Sequence, residues 1–138
     1  MLKRLLSVRG LNLLVNVVLG INVFALGVLH IVDPGGVWFA VVASTLFVLG
    51  LFAMWANSSE YHEQMDEMAS YHDGWATTVS YYVAFMLVGV GCVLSLVRGF
   101  ELDLGAGGLM LMGVAMVAHG VTFAVLEKEE IYADYQDA

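Results

Sequence analysis

The sequence predicts an all-α integral membrane protein, a four-helix up-and-down bundle whose long third helix extends into the cytoplasm. Three observations predict it. Of the 138 residues, 60% are apolar and only 13% charged, and the mean hydropathy is +0.82. That is more apolar side chain than a soluble domain of this length can hide, whereas a bilayer removes the need to hide it. The apolar residues also fall into four runs of roughly twenty residues, the length that crosses a hydrocarbon core. Finally, no Asp, Glu, Lys or Arg stands inside any of the four.

One domain is expected over 1–138, with spans at about 11–32, 37–55, 75–97 and 105–126. Lys3, Arg4 and Arg9 precede the first apolar run, and Ala25-Leu26-Gly27 imitates a small-x-small cleavage site. The run Leu11–Val32 is nevertheless long enough to span, so it is expected to be a first transmembrane helix. Asp33-Pro34-Gly35-Gly36 is the clearest turn in the chain, a proline after a helix end followed by two glycines. The second span, Val37–Trp55, carries Trp38 and Trp55 near its ends, where indole rings favour the membrane interface.

The segment 57–74 is polar and acidic, yet it passes without a proline into Trp75–Val97. Tyr61, Met65, Met68, His72, Trp75, Val79, Tyr82 and Met86 recur at steps of three and four, which puts them on one side of a helix. One long helix is expected, wet in its first half and apolar in its second. The stripe Tyr61, Met65, Met68 and His72 is a candidate face for a partner helix or the membrane surface. Arg98–Asp103 is a short polar loop. The fourth span follows, and the acidic tail 127–138 extends it as a frayed helix.

The net charge of −8 resides in the polar ends and loops. Acidity outside the spans argues against nucleic-acid partners and against adhesion to anionic lipid. If both termini are cytoplasmic, Lys3, Arg4, Arg9 and Lys128 lie inside and Arg98 outside, as the positive-inside rule requires. The expected location is the cell (plasma) membrane. Asn57-Ser58-Ser59 matches a glycosylation acceptor, which opposes this orientation, but the same residue types cap helices. Cys92 is the only cysteine, so no intrachain disulfide is possible, and it reads as a small packing residue.

Several spans carry small or polar residues on one face. In the first, Asn12, Asn16, Gly20, Val23, Gly27 and His30 align at about 100° per residue. The fourth has Ala106, Gly113 and Gly120 at heptad spacing, and the third has Gly91 and Ser95 four apart. Lipid supplies no hydrophobic drive between helices, so close backbone approach and amide hydrogen bonds must hold them together. Gly20, Gly27, Gly91, Ser95, Gly113 and Gly120 are therefore the expected packing residues. Alternatively, the polar strip lines a path for an ion or small solute.

His119 lies about 10 Å inside the cytoplasmic end of the fourth span, counted at 1.5 Å per residue from Leu126. Asn16, Tyr81 and Tyr82 come out at similar depth. A polar group there needs a partner, so a hydrogen-bonded cluster of His119 with Asn16 or with one of the tyrosines, Tyr81 or Tyr82, is expected. Haem is not: His30 and His119 differ in depth by about 20 Å of helical rise. His62 with Asp66, and Glu63 with Glu67, are helix neighbours that make at best a weak metal site, without an HExxH arrangement. No nucleophile elbow, phosphate loop or CxxC occurs, and no span holds a carboxylate for proton-coupled transport.

In the middle segment, Ser59-Glu60-Tyr61, Met65 and Glu67-Met68-Ala69-Ser70 match the spacing of an acidic "DER…I…KAS" segment. In this the chain resembles a family of small archaeal four-helix membrane proteins built as two helices, that segment and two more helices. Ser59, Tyr61 and Met68 stand where the family has aspartate, arginine and lysine. The resemblance implies the four-span fold and says nothing of function. The sequence thus points to a non-enzymatic accessory subunit of a membrane complex or a homo-oligomeric scaffold, without cofactor or metal. A small oligomeric channel is the alternative, and an enzyme acting on lipid a more distant third.

Overall fold

A computed structural model describes residues 7–58, 67–99, 101 and 103–136. These residues form four helices: α1, Val8–Val32; α2, Val37–Ser58; α3, Glu67–Arg98; and α4, Leu104–Gln136. Each contains a stretch long and apolar enough to cross a membrane. The spans read from hydropathy are the apolar cores of longer helices. In particular, α3 starts well ahead of Trp75, and α4 carries the acidic tail as far as Gln136.

Helix ends follow from local chemistry. The Ser7 hydroxyl accepts the Gly10 N–H at 3.0 Å and opens α1. After α1, the Gly36 N–H donates to the Asp33 carbonyl at 3.1 Å, with Pro34 and Gly35 between them. Gly35 sits at φ +80°, so this is a proline–glycine turn that needs a residue without a Cβ at its third position. Gly99, at φ +62°, closes α3 in the same left-handed region. Asp103 caps α4, its carboxylate accepting the Ala106 N–H at 3.0 Å. Hydroxyls inside the apolar runs satisfy themselves one turn back: Ser44 on Ala40, Thr45 on Val41, Thr77 on Asp73 and Thr122 on Ala118.

Within α1, residues Leu13–Val18 form a wider π segment, in which the Leu19 N–H reaches back to the Leu14 carbonyl. Asn22 donates its amide to the Val18 carbonyl, 2.8 Å away, where the wide turns end.

Successive helices run antiparallel, but the array is open. Spatial order is α2–α1–α4–α3, with α1 and α4 in the middle and no more than marginal contact between α2 and α3. The central pair meets through glycines. A Cβ built on Gly113 would stand 2.6 Å from the Gly20 carbonyl oxygen and 2.6 Å from the Phe24 nitrogen. One built on Gly27 would stand 2.8 Å from the Ala106 oxygen, and one on Gly120 would meet Val17 and Asn16. Backbone therefore touches backbone along most of this seam. Gly91 differs: nothing lies within 4 Å of the corresponding position, and Ser95 is exposed.

Beside the start of α1 two small clusters close the array. Leu11 packs on Ala56 of α2, while Val8 leans on Ala69 and Ala76 of α3 and on Phe123 of α4. At the opposite end α3 stands apart, and every residue from Phe85 to Gly99 is exposed.

Two substitutions separate these environments in an unfolding titration. Gly113→Val should destabilise by at least about 1–3 kcal/mol, because the colliding atoms are backbone and cannot rotate away. Gly89→Ala, with nothing within 4 Å, should be neutral or stabilise by about 0.5–1 kcal/mol through helix propensity.

Candidate functional site

Two histidine–carboxylate contacts lie where α3 packs on α4 near the start of α1. Because α3 is unbroken from Glu67, it carries His72 and Asp73 onto α4 one turn before its apolar run. His72 Nδ1 lies 2.9 Å from Glu127 Oε1, a hydrogen bond between side chains only 8% and 18% exposed. His119 Nε2 lies 3.0 Å from Asp73 Oδ1. The contacts are reciprocal: each helix contributes one imidazole and one carboxylate. A neutral imidazole donates an N–H to its carboxylate, and a protonated one forms an ion pair.

The expected cluster of His119 with Asn16, Tyr81 and Tyr82 is not what the structure assembles. His119 turns to Asp73, while Tyr81 and Tyr82 are 65% and 63% exposed. Helical phase explains the difference. Taking Ala76 as the residue facing α4, about 100° per residue turns Tyr81 and Tyr82 away from that helix. Asn16 stays at the α1–α4 seam, its Cβ packed against Gly120. Asp73 also lies about 12 Å of helical rise before Tyr81, so the count of depth along α3 does not lead to it either.

In the candidate partner-facing stripe, Tyr61 and Met65 lie outside the described residues. Met68 is exposed and His72 is buried against α4. His72 is thus an interhelical ligand of Glu127. His30, on the far end, comes within 3.7 Å of Asp103 and beside the ring of Phe39. His62, Glu63 and Asp66 also lie outside the described residues. Among those described, no group of three or more His, Cys, Asp or Glu side chains is placed to hold a metal ion.

Two polar atoms near the start of α1 stand out. Asn12 Oδ1 and Arg9 Nε are buried without a hydrogen-bond partner. Asn12 follows Val8 by four residues and so shares its α3/α4-facing side. Asp73, Glu127 and Asn12 were each visible in the sequence. The unbroken helix through Glu67–Trp75 follows from the absence of a proline; which face of its polar turn meets α4 does not follow from the sequence.

Compared with family models, with curated proteins and with solved structures, the chain has no match.

Two stability measurements test the layer. His72→Leu should cost about 1–3 kcal/mol by stranding the Glu127 carboxylate, and adding Glu127→Leu should recover most of the loss. Asn12→Leu should instead raise stability by about 1–3 kcal/mol, because it removes a buried acceptor that has no donor. Unchanged or lower stability for Asn12→Leu would mean that the amide has a partner.

Proposed function

We propose that this chain is a multi-pass membrane protein of the cell membrane, with both termini in the cytoplasm. Its role is that of a non-enzymatic interaction protein, either an accessory subunit of a larger membrane complex or a homo-oligomeric scaffold. The observation that carries this reading is the open array. α2 and the far half of α3 hold apolar side chains on all sides, and neither helix has a neighbour on its outer face. Trp38, Phe47, Met54, Phe85, Met86 and Leu96 are all largely exposed. In lipid such faces are tolerated, and they are also the faces on which transmembrane helices associate. The lysines and arginines at the starts of α1 and the α4 tail support the orientation.

The second reading is an oligomeric channel, favoured by the buried unpartnered Asn12 oxygen and the polar layer around His119. The glycine seam leaves no opening between α1 and α4 of one subunit, so such a path would form between subunits.

Mass in mild detergent or nanodiscs tests the proposal. A species well above the 15.0 kDa chain, or a co-purifying partner, is expected; a monomer without partners contradicts it. Liposomes should show no flux, and flux abolished by His119→Leu would favour the channel.

A further inference from the structure

We infer that the start of α1 holds the phosphate of one membrane phospholipid, with Arg9 as its cation and Asn12 as a second donor. Depth sets the pair among headgroups. Leu11 packs on Ala56, next to Trp55, and Val8 leans on Ala76, next to Trp75. Both tryptophans are 52% exposed, and indole rings on lipid-facing helices settle at headgroup level. Arg9, between Val8 and Leu11, lies level with them.

The described residues supply no counter-charge there. Arg9 is half-buried, with its Nε sealed off and unpartnered. No described carboxylate pairs with it, since Asp73 and Glu127 are taken by His119 and His72. Asn12 is only 8% exposed. Its Oδ1 is the sealed end of the amide and again lacks a partner, which leaves Nδ2 as the end nearer the surface. Side chains three residues apart are neighbours on a helix, and they lean toward its start; Asn12 therefore leans toward Arg9. What the two present is donors alone, the terminal guanidinium N–H groups and one amide N–H2. Such a patch around a partly desolvated cation selects an anion, and the planar arginine fork grips two oxygens of one phosphate.

The place favours a lipid phosphate over a soluble one. A dissolved anion must approach a chain of net charge −8, whereas a phospholipid is held at this depth by its own tails. The same acidity opposes a broad anionic lipid surface, but the site needs none, because a zwitterionic headgroup carries the phosphate as well. The inference rests on the multi-pass reading and not on the interaction role: it requires lipid around α1 and no protein partner. The stability gain expected for Asn12→Leu then belongs to phosphate-free detergent, where the amide is alone.

Native mass spectrometry in a phosphate-free maltoside detergent tests it, with phosphatidylcholine titrated against diacylglycerol of the same chains. One phosphatidylcholine per chain should bind more tightly than any further copies. Arg9→Gln should weaken that binding about tenfold or more, while Arg98→Gln leaves it unchanged and diacylglycerol does not replace it. Undiminished binding to Arg9→Gln, or equal binding of diacylglycerol, would overturn the inference. Displacement by inorganic phosphate would overturn it in favour of a soluble anion. If Arg9→Gln does not fold, solid-state NMR in phosphatidylcholine bilayers replaces the variant, with isotope-labelled arginine in an Arg4→Lys, Arg98→Lys background. A dipolar coupling between Arg9 Cζ and lipid phosphorus is expected. Its absence from a bilayer-embedded chain sinks the phosphate site alone; a chain that does not enter bilayers sinks the multi-pass reading and the site with it.

Discussion

Everything in this fold hangs on how closely α1 and α4 approach. Gly20 and Gly113 leave each helix with a backbone surface where a side chain would stand, and a Cβ on Gly113 would lie 2.6 Å from the Gly20 oxygen. Between apolar helices in lipid, burial from water contributes little, so the attraction must come from contact density and weak Cα–H···O interactions. Both fall off steeply with distance. Glycine at the crossing is what makes the pair stick, and α2 and α3 are then arranged around a fixed centre.

The polar layer near the start of α1 adds direction to that centre. The apolar contacts of α3 with α4 use small side chains, Ala69 and Ala76 against Phe123, and such surfaces slide. The bonds from His72 to Glu127 and from His119 to Asp73 do not. They set one register for α3, and the layer is partly buried, so leaving a partner alone costs more than sliding gains. Near the start of α1, Asn12 and Arg9 each have a buried polar atom left without a partner. The helices are densely packed at this end, while the far half of α3 is exposed.

Much of this was legible in the residue order. Four apolar runs, the Asp33–Gly36 turn and the glycines of α1 and α4 each announce themselves by composition or spacing. Three things did not. The π segment Leu13–Val18 has no signature in residue type or spacing. Counting residues from the end of the span points from His119 to Asn16 and the tyrosines, whereas its partner Asp73 lies about 12 Å of helical rise before Tyr81, on the face of α3 that meets α4. Gly91 and Ser95 look like Gly20 and Gly113 in sequence, yet only the latter pair is packed; a small residue permits an approach and does not cause one.

The most direct test of the account is the Gly20–Gly113 approach itself, in a bilayer. Magic-angle-spinning NMR on protein labelled at the Gly20 carbonyl carbon and the Gly113 Cα should give a strong through-space cross-peak, corresponding to a separation of about 5 Å or less, as a Cα–H···O contact demands. No cross-peak, in protein that is folded and embedded in lipid, would contradict the central seam and with it the arrangement of all four helices.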